Sequence, residues 1–321
     1  MRRWKSARTG IAAAALASIA AGVAAHAATA WPETTGTFNR NTGMIGGRER
    51  SFIEYVPRDF KPGASLVLVF HGGGGDGPMA RDGTGHEFDL LADRHGFVVV
   101  YPDGLAMSWN GCRKLQNRIA ERRGIDDVGF VDAIIEEEAV RRGIDRKRVF
   151  ALGHSNGGAL AYRLGLERPD KFAGIAAISS NLPAGDNFDC QPRNAPIPVM
   201  IINGTADPVS AYDGGSSARG TYRGRMLSTD ATVQYFATLN GLSAPADIAR
   251  LAHVNPSDRT WVERVSWTAP GKAPVVLYTI HGGGHVVPQP YYRYPQIVGA
   301  QTGDLDAPAV IWEFFSKLSA Q

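Results

Sequence analysis

Residues 149–158 constrain the fold of this chain more than any other stretch. The apolar run Val149-Phe150-Ala151-Leu152 ends in Gly153-His154-Ser155-Asn156-Gly157-Gly158, and a helix-favouring run, residues 159–166, follows at once. A strand that turns into a helix within so few residues must pass its backbone close to other atoms, and Gly153 and Gly157 lack the β-carbon that would obstruct it. Such a turn presents the Ser155 hydroxyl to a cleft at the strand's carboxyl end. The amide of Asn156, at the positive end of the following helix, would face an oxyanion formed there. Ser155 is therefore a candidate nucleophile on a G-x-S-x-G turn. The alternative is a glycine-rich turn with an ordinary surface serine, and the rest of the chain has to decide.

Five further apolar runs of strand length lie along the chain: residues 65–70, 97–101, 172–179, 197–202 and 275–280. Continuous apolar runs suit strands buried on both faces, as in a parallel sheet. Residues 51–56 alternate as an early strand does and end at Pro57, whereas the stretch up to Gly47 reads as a loose lead-in. Between the runs, one helix ends near His95 and another spans 127–141, with Val128, Val131, Ile135 and Ala139 at helical spacing. Asp126 and Asp127 stand where helix caps stand, and Glu136, Glu137 and Glu138 read as a solvated face. Alternating strands and helices imply an α/β fold, a mostly parallel central sheet with helices on both faces. The length of 321 residues, 44% hydrophobic, suits one large domain over 31–321.

The N-terminus reads as a signal peptide. Arg2, Arg3, Lys5 and Arg8 precede an alanine-rich apolar run, and small residues mark cleavage after Ala27, or after Ala30. The run is short and alanine-rich for a membrane anchor. Losing those four basic residues takes the formal charge from +3 to about −1, so the basic balance is no argument for nucleic acid. The mature chain is expected outside the cytoplasm, secreted or periplasmic, with neither nucleic acid nor membrane as partner. There an even count of cysteines favours a Cys112–Cys190 disulfide over two isolated thiols.

Three more segments complete a constellation. His71-Gly72-Gly73-Gly74-Gly75 follows the strand at 65–70, and its unshielded amides can converge on an anion. The Lys-Ser/Thr of a phosphate loop is missing. Gly72 and Gly73 are the candidates for a second oxyanion donor beside Asn156. Asp207 follows the strand ending at Ile202, with Asp213 and Asp230 as alternatives for the acid. His285 follows the strand at 275–280, with His281 as the alternative base. A neutral imidazole at His285 could take the Ser155 proton while Asp207 fixes its tautomer. His71 and His154, flanking the two oxyanion elements, should hydrogen-bond within the walls of the cleft. Trp109, in the polar segment 105–124, either lines the cleft or packs. No His/Cys/Asp spacing resembles a metal site.

The segments Leu68-Val69-Phe70-His71-Gly72-Gly73-Gly74-Gly75, Asp126-Asp127-Val128-Gly129-Phe130-Val131, Gly153 to Gly158, Asn203-Gly204-Thr205-Ala206-Asp207-Pro208, Gly283-Gly284-His285 and Ile311-Trp312-Glu313-Phe314-Phe315 span nearly the whole mature chain. Together they resemble the polyhydroxybutyrate depolymerase and feruloyl esterase family of secreted α/β-hydrolases. The resemblance implies an α/β-hydrolase fold and cofactor-free hydrolysis of carboxylic esters, with Ser155, Asp207 and His285 matching the triad. Val286-Val287-Pro288 departs from the Thr-Trp-Pro that follows the histidine in many relatives, so an aromatic wall there is not implied. The substrates it suggests are hydroxyalkanoate oligomers, plant-wall esters or small esters. The segment 210–228 is expected to cross the cleft mouth as a specificity loop. A serine peptidase and a silent carbohydrate- or polyester-binding protein are the rival readings.

Overall fold

The computed structural model describes residues 5–8, 30–115, 118–216, 224–245 and 247–318. One sheet of eleven strands organises them. In chain order these are β1 (Lys5–Arg8), β2 (Thr37–Ile45), β3 (Arg48–Val56), β4 (Leu66–Phe70), β5 (Val98–Pro102), β6 (Val149–His154), β7 (Gly174–Ile178), β8 (Val199–Gly204), β11 (Asp247–Arg250), β12 (Trp261–Trp267) and β13 (Val275–His281). A separate two-stranded ribbon pairs β9 (Gly215–Ser216) with β10 (Arg225–Met226). The main order is β1-β2-β3-β5-β4-β6-β7-β8-β13-β12-β11. Neighbours from β5 to β13 run parallel, and antiparallel strands extend both edges.

Period-two alternation explains the apolar runs. Leu66, Leu68 and Phe70 face one core layer with residues of α4 (Asp127–Arg142) and α5 (Asn156–Glu167), among them Ile134 and Leu160. Val67 and Val69 face the opposite layer with residues of α2 (Glu87–His95) and α7 (Ala307–Ser316), among them Phe88 and Phe315. Each such side chain contributes roughly 1.5–3 kcal/mol by leaving water, so neither face can be polar. The remaining helices are α1 (Gly77–Gly83), α3 (Ile119–Arg122) and α6 (Thr229–Leu239).

Three expectations need correction, and two strands go beyond them. The loose lead-in contains β2, which pairs with β3 along its whole length through a two-residue Gly46-Gly47 turn, both glycines at positive φ. That conformation joins a right-twisted hairpin without splaying it. The edge strands β11 and β12 were not expected either. Asp126 caps α4, accepting from Gly129 N at 2.7 Å, but Asp127 is buried. Its carboxylate pairs with Arg50 at 2.7 Å and accepts from Asn110 N at 2.8 Å. Finally, Glu138 is not solvated. It is fully buried beside Glu54, and Arg141 and Arg142 bridge the two carboxylates. The leader lies outside the described residues except for Lys5–Arg8, whose backbone pairs with β2.

Candidate active site

The turn from β6 into α5 holds Ser155 at φ 56, ψ −115, a conformation that L-residues avoid. Strain of this kind is of order 1–3 kcal/mol and persists only where the surroundings over-determine it. Here the Ser155 N–H donates to Ile178 O at the end of β7 (2.8 Å). A β-carbon on Gly157 would overlap Phe70 O, and one on Gly153 would overlap the Gly157 carbonyl. The turn is thus wedged between β4 and its own helix. Among the described residues the Ser155 hydroxyl makes no hydrogen bond, to His285 or otherwise.

Asp207 and His285 sit on the loops after β8 and β13, which are parallel neighbours in register Asn203↔Thr279 and Gly204↔Ile280. His285 Nδ1 lies 2.7 Å from Asp207 Oδ2. Both side chains are buried. The other oxygen, Asp207 Oδ1, accepts from Val209 N and Ser210 N at 2.7 Å each. A carboxylate satisfied at both oxygens is an acceptor for the imidazole N–H, which leaves the Nε2 lone pair as the free basic site. Among the alternatives, Asp230 accepts from Tyr212, and His281 stacks on Trp261 with ring centroids 3.5 Å apart.

The glycine loop is clamped from behind by His71. Its Nε2 accepts from Gly104 N (2.9 Å), so Nδ1 carries the proton and donates to Gly72 O (2.6 Å). Burial pushes its pKa down, consistent with that neutral form. A β-carbon on Gly72 would lie 3.6 Å from Ser155 Cβ. Among the described residues the amides of Gly72, Gly73 and Asn156 have no acceptor. His154 packs its ring 4.7 Å from that of His285. Burial, and next the electrostatic influence of His285, hold its pKa well below the ordinary range, and among the described residues its Nε2 has no hydrogen-bond partner.

Trp109 is fully buried, so it packs rather than lining the cleft. Its Nε1 donates to His71 O (3.0 Å) and its backbone exchanges two bonds with the Asn156 side chain. Cys112 and Cys190 form a disulfide. Next to it, Arg113 lines the same pocket as Ser155, together with Ser180, Ser210, Gly215 and Met226. Residues 217–223 of the expected specificity loop lie outside the described residues, while Gly214, Gly215 and Ser216 reach this pocket. Reading the sequence missed Arg113, and the available signal was its place beside a cysteine that pins the loop.

A parallel sheet covered on both faces, with a strained serine where a central strand turns into a helix, defines the α/β-hydrolase class. Residues 54–235 match the family described as Phospholipase/Carboxylesterase. The chain belongs to this family of esterases. It is 30% identical over 298 residues to NocK of Nocardia uniformis subsp. tsuyamanensis, named as an esterase, covering 88% of this chain and 84% of that protein. With feruloyl esterase C of Emericella nidulans it shares 28% over 222 residues, 68% of this chain and 76% of the relative. Among solved structures, an acetyl xylan esterase from Aspergillus awamori superposes with TM-score 0.56 at 16% identity, covering 83% of this chain and 94% of that one. An S-formylglutathione hydrolase from Agrobacterium tumefaciens gives TM-score 0.51 at 14% identity, covering 91% and 98%. At these identities the two structures speak for the fold.

Proposed function

We propose that the protein is an exported serine esterase in which Ser155 is the nucleophile, His285 the general base and Asp207 the group that orients it. The observation that carries this reading is the 2.7 Å bond from His285 Nδ1 to an Asp207 carboxylate whose second oxygen is tied by two amides. His285 Nε2 takes the Ser155 proton as Oγ attacks the ester carbonyl. The Ser155 hydroxyl must rotate towards Nε2 for that step. Asn156 N and an amide of Gly72 or Gly73 receive the negative charge of the tetrahedral intermediate, and the imidazolium returns the proton to the leaving alkoxide. Water then cleaves the acyl-enzyme by the same path, so no cofactor takes part.

The disulfide and the basic, alanine-rich N-terminus support a protein processed after Ala27 or Ala30 and exported, secreted or periplasmic, as a single catalytic domain. Among the described residues no helix is long and apolar enough to cross a membrane. The named relatives favour an ester over an amide substrate. Hydroxyalkanoate oligomers, feruloyl or acetyl esters of plant wall and small aliphatic esters are the substrate classes to compare. A fluorophosphonate probe should label the wild type and not Ser155→Ala, and that variant should lose about 10⁴- to 10⁶-fold in kcat while remaining folded. Equal labelling of both proteins, or near-normal turnover by the variant, would overturn the assignment.

A further inference from the structure

We infer that the pocket beside Ser155 recognises a free carboxylate on the substrate, through Arg113 and Arg118. The inference rests on the esterase reading and narrows its substrate class.

Arg113 is 7% exposed and lines the pocket that also holds Ser155. Its Nε donates to Glu121 Oε1 at 3.0 Å, yet among the described residues its buried Nη2 has no hydrogen-bond partner. A buried guanidinium nitrogen left so is destabilising unless a ligand or water satisfies it. The loop that carries it is fixed: Cys112 is bonded to Cys190, Lys114 N donates to Asn187 O (3.0 Å), and Arg113 forms a β-bridge with Phe188. Arg113 is therefore a preset donor and not a mobile surface side chain.

Arg118 lies over the glycine loop. Its guanidinium lies over Gly73, so close that a β-carbon on that glycine would overlap it. Among the described residues it has neither a hydrogen-bond acceptor nor an ion-pair partner. Burial, and next the charge of Arg113, hold its pKa below the ordinary arginine range. Glu121 is the ion-pair partner of Arg113, and among the described residues the charge of Arg118, over the glycine loop whose Gly72 adjoins Ser155, has none. Planar, preorganised forks are suited to bidentate binding of a carboxylate. Neutral acyl groups would leave this charge desolvated and unpaired, whereas an ester bearing a carboxylate completes it.

Matched pairs of esters test the proposal. One is p-nitrophenyl hemisuccinate against its methyl ester, with the charge on the acyl side. The other is 3-acetoxybutanoate against methyl 3-acetoxybutanoate, with the charge on the alcohol side. In at least one pair the charged member should be favoured tenfold or more in kcat/KM at low ionic strength, and 0.5 M NaCl should erode that ratio. Arg118→Gln should lower the ratio at least tenfold, mainly through KM. Replacing Arg113 and Glu121 together, by Gln and Gln, tests the second donor while keeping the net charge unchanged. Calorimetric binding of the charged and neutral members to Ser155→Ala reads recognition without turnover. Wild type that cleaves the neutral esters as fast as the charged ones, or a ratio untouched in both variants, overturns the inference and leaves the esterase reading standing. Failure to cleave any of the four, with no fluorophosphonate labelling, overturns the esterase reading itself.

Discussion

Replacing Cys112 and Cys190 together by alanine should lower stability chiefly through the unfolded chain. The bond closes a sequence separation of 78 residues. In the chain-entropy account a loop of this length restricts the unfolded state by about 15 cal/mol/K, or about 4.5 kcal/mol at 25 °C. The native partners of the loop persist without the bond, because Asp189 N donates to Cys112 O (3.0 Å) and Lys114 N to Asn187 O (3.0 Å) through the backbone alone. Little of the loss should therefore come from native-state rearrangement. For 321 residues, about 2.1 cal/mol/K per residue gives an unfolding entropy near 0.67 kcal/mol/K, so Tm should fall by about 7 °C. Scanning calorimetry of the oxidised wild type, the reduced wild type and the double variant measures it. The last two should melt together. A drop of less than about 2 °C would refute the argument that the bond acts on chain entropy.

Asp207→Asn should cut kcat by about 10⁴ with KM little changed, since an amide nitrogen cannot accept the His285 Nδ1–H and the wrong tautomer results; steady-state kinetics and slowed fluorophosphonate labelling check it. Gly157→Ala should destabilise by about 3 kcal/mol, because its β-carbon overlaps Phe70 O between two core elements; the urea midpoint reads this. Burial, and next the charge of Glu54, raise the Glu138 pKa to about 8, while the pKa of Glu54 is lowered by the arginines despite its own burial. A carboxyl raised in the folded state contributes stability that is present below its unfolded pKa and lost as pH rises to about 8. Urea unfolding of Glu138→Gln between pH 5 and 8 should therefore show less decline with rising pH than the wild type, and an unchanged slope would count against the proton assigned to Glu138.

The buried middle of the sheet was legible because its strands are apolar on both faces, a pattern that few other environments produce. Edge strands are not so marked. Thr-Phe-Asn-Arg-Asn-Thr-Gly-Met-Ile reads as polar because one face of β2 meets water, and only the Gly46-Gly47 pair before Arg48 offered a hairpin signal. The positions of Ser155, Asp207 and His285 could be read because each follows directly on a recognisable strand end. Glu138 could not, since its burial depends on Glu54, more than eighty residues away, and on the two arginines that bridge them. Arg113 and Arg118 escaped for a similar reason. They lie in a polar segment with no periodicity, and what distinguishes them, among the described residues, is guanidinium nitrogens left unpaired beside the glycine loop and the Ser155 pocket, which a sequence does not display.

The parallel pairing of β8 with β13 has a consequence for how the protein comes into being. Asp207 and His285 are 78 residues apart in the chain and meet because Gly204 is paired with Ile280. A slip of one residue would carry the histidine along by about 3.3 Å and turn the strand's side chains to the opposite face. No fragment that stops short of β13 can hold this pair, and a ribosome must finish more than 280 residues before it can form. On the proposed mechanism the chain stays chemically silent through most of its synthesis, and gain of activity marks the moment its last central strand has found its place.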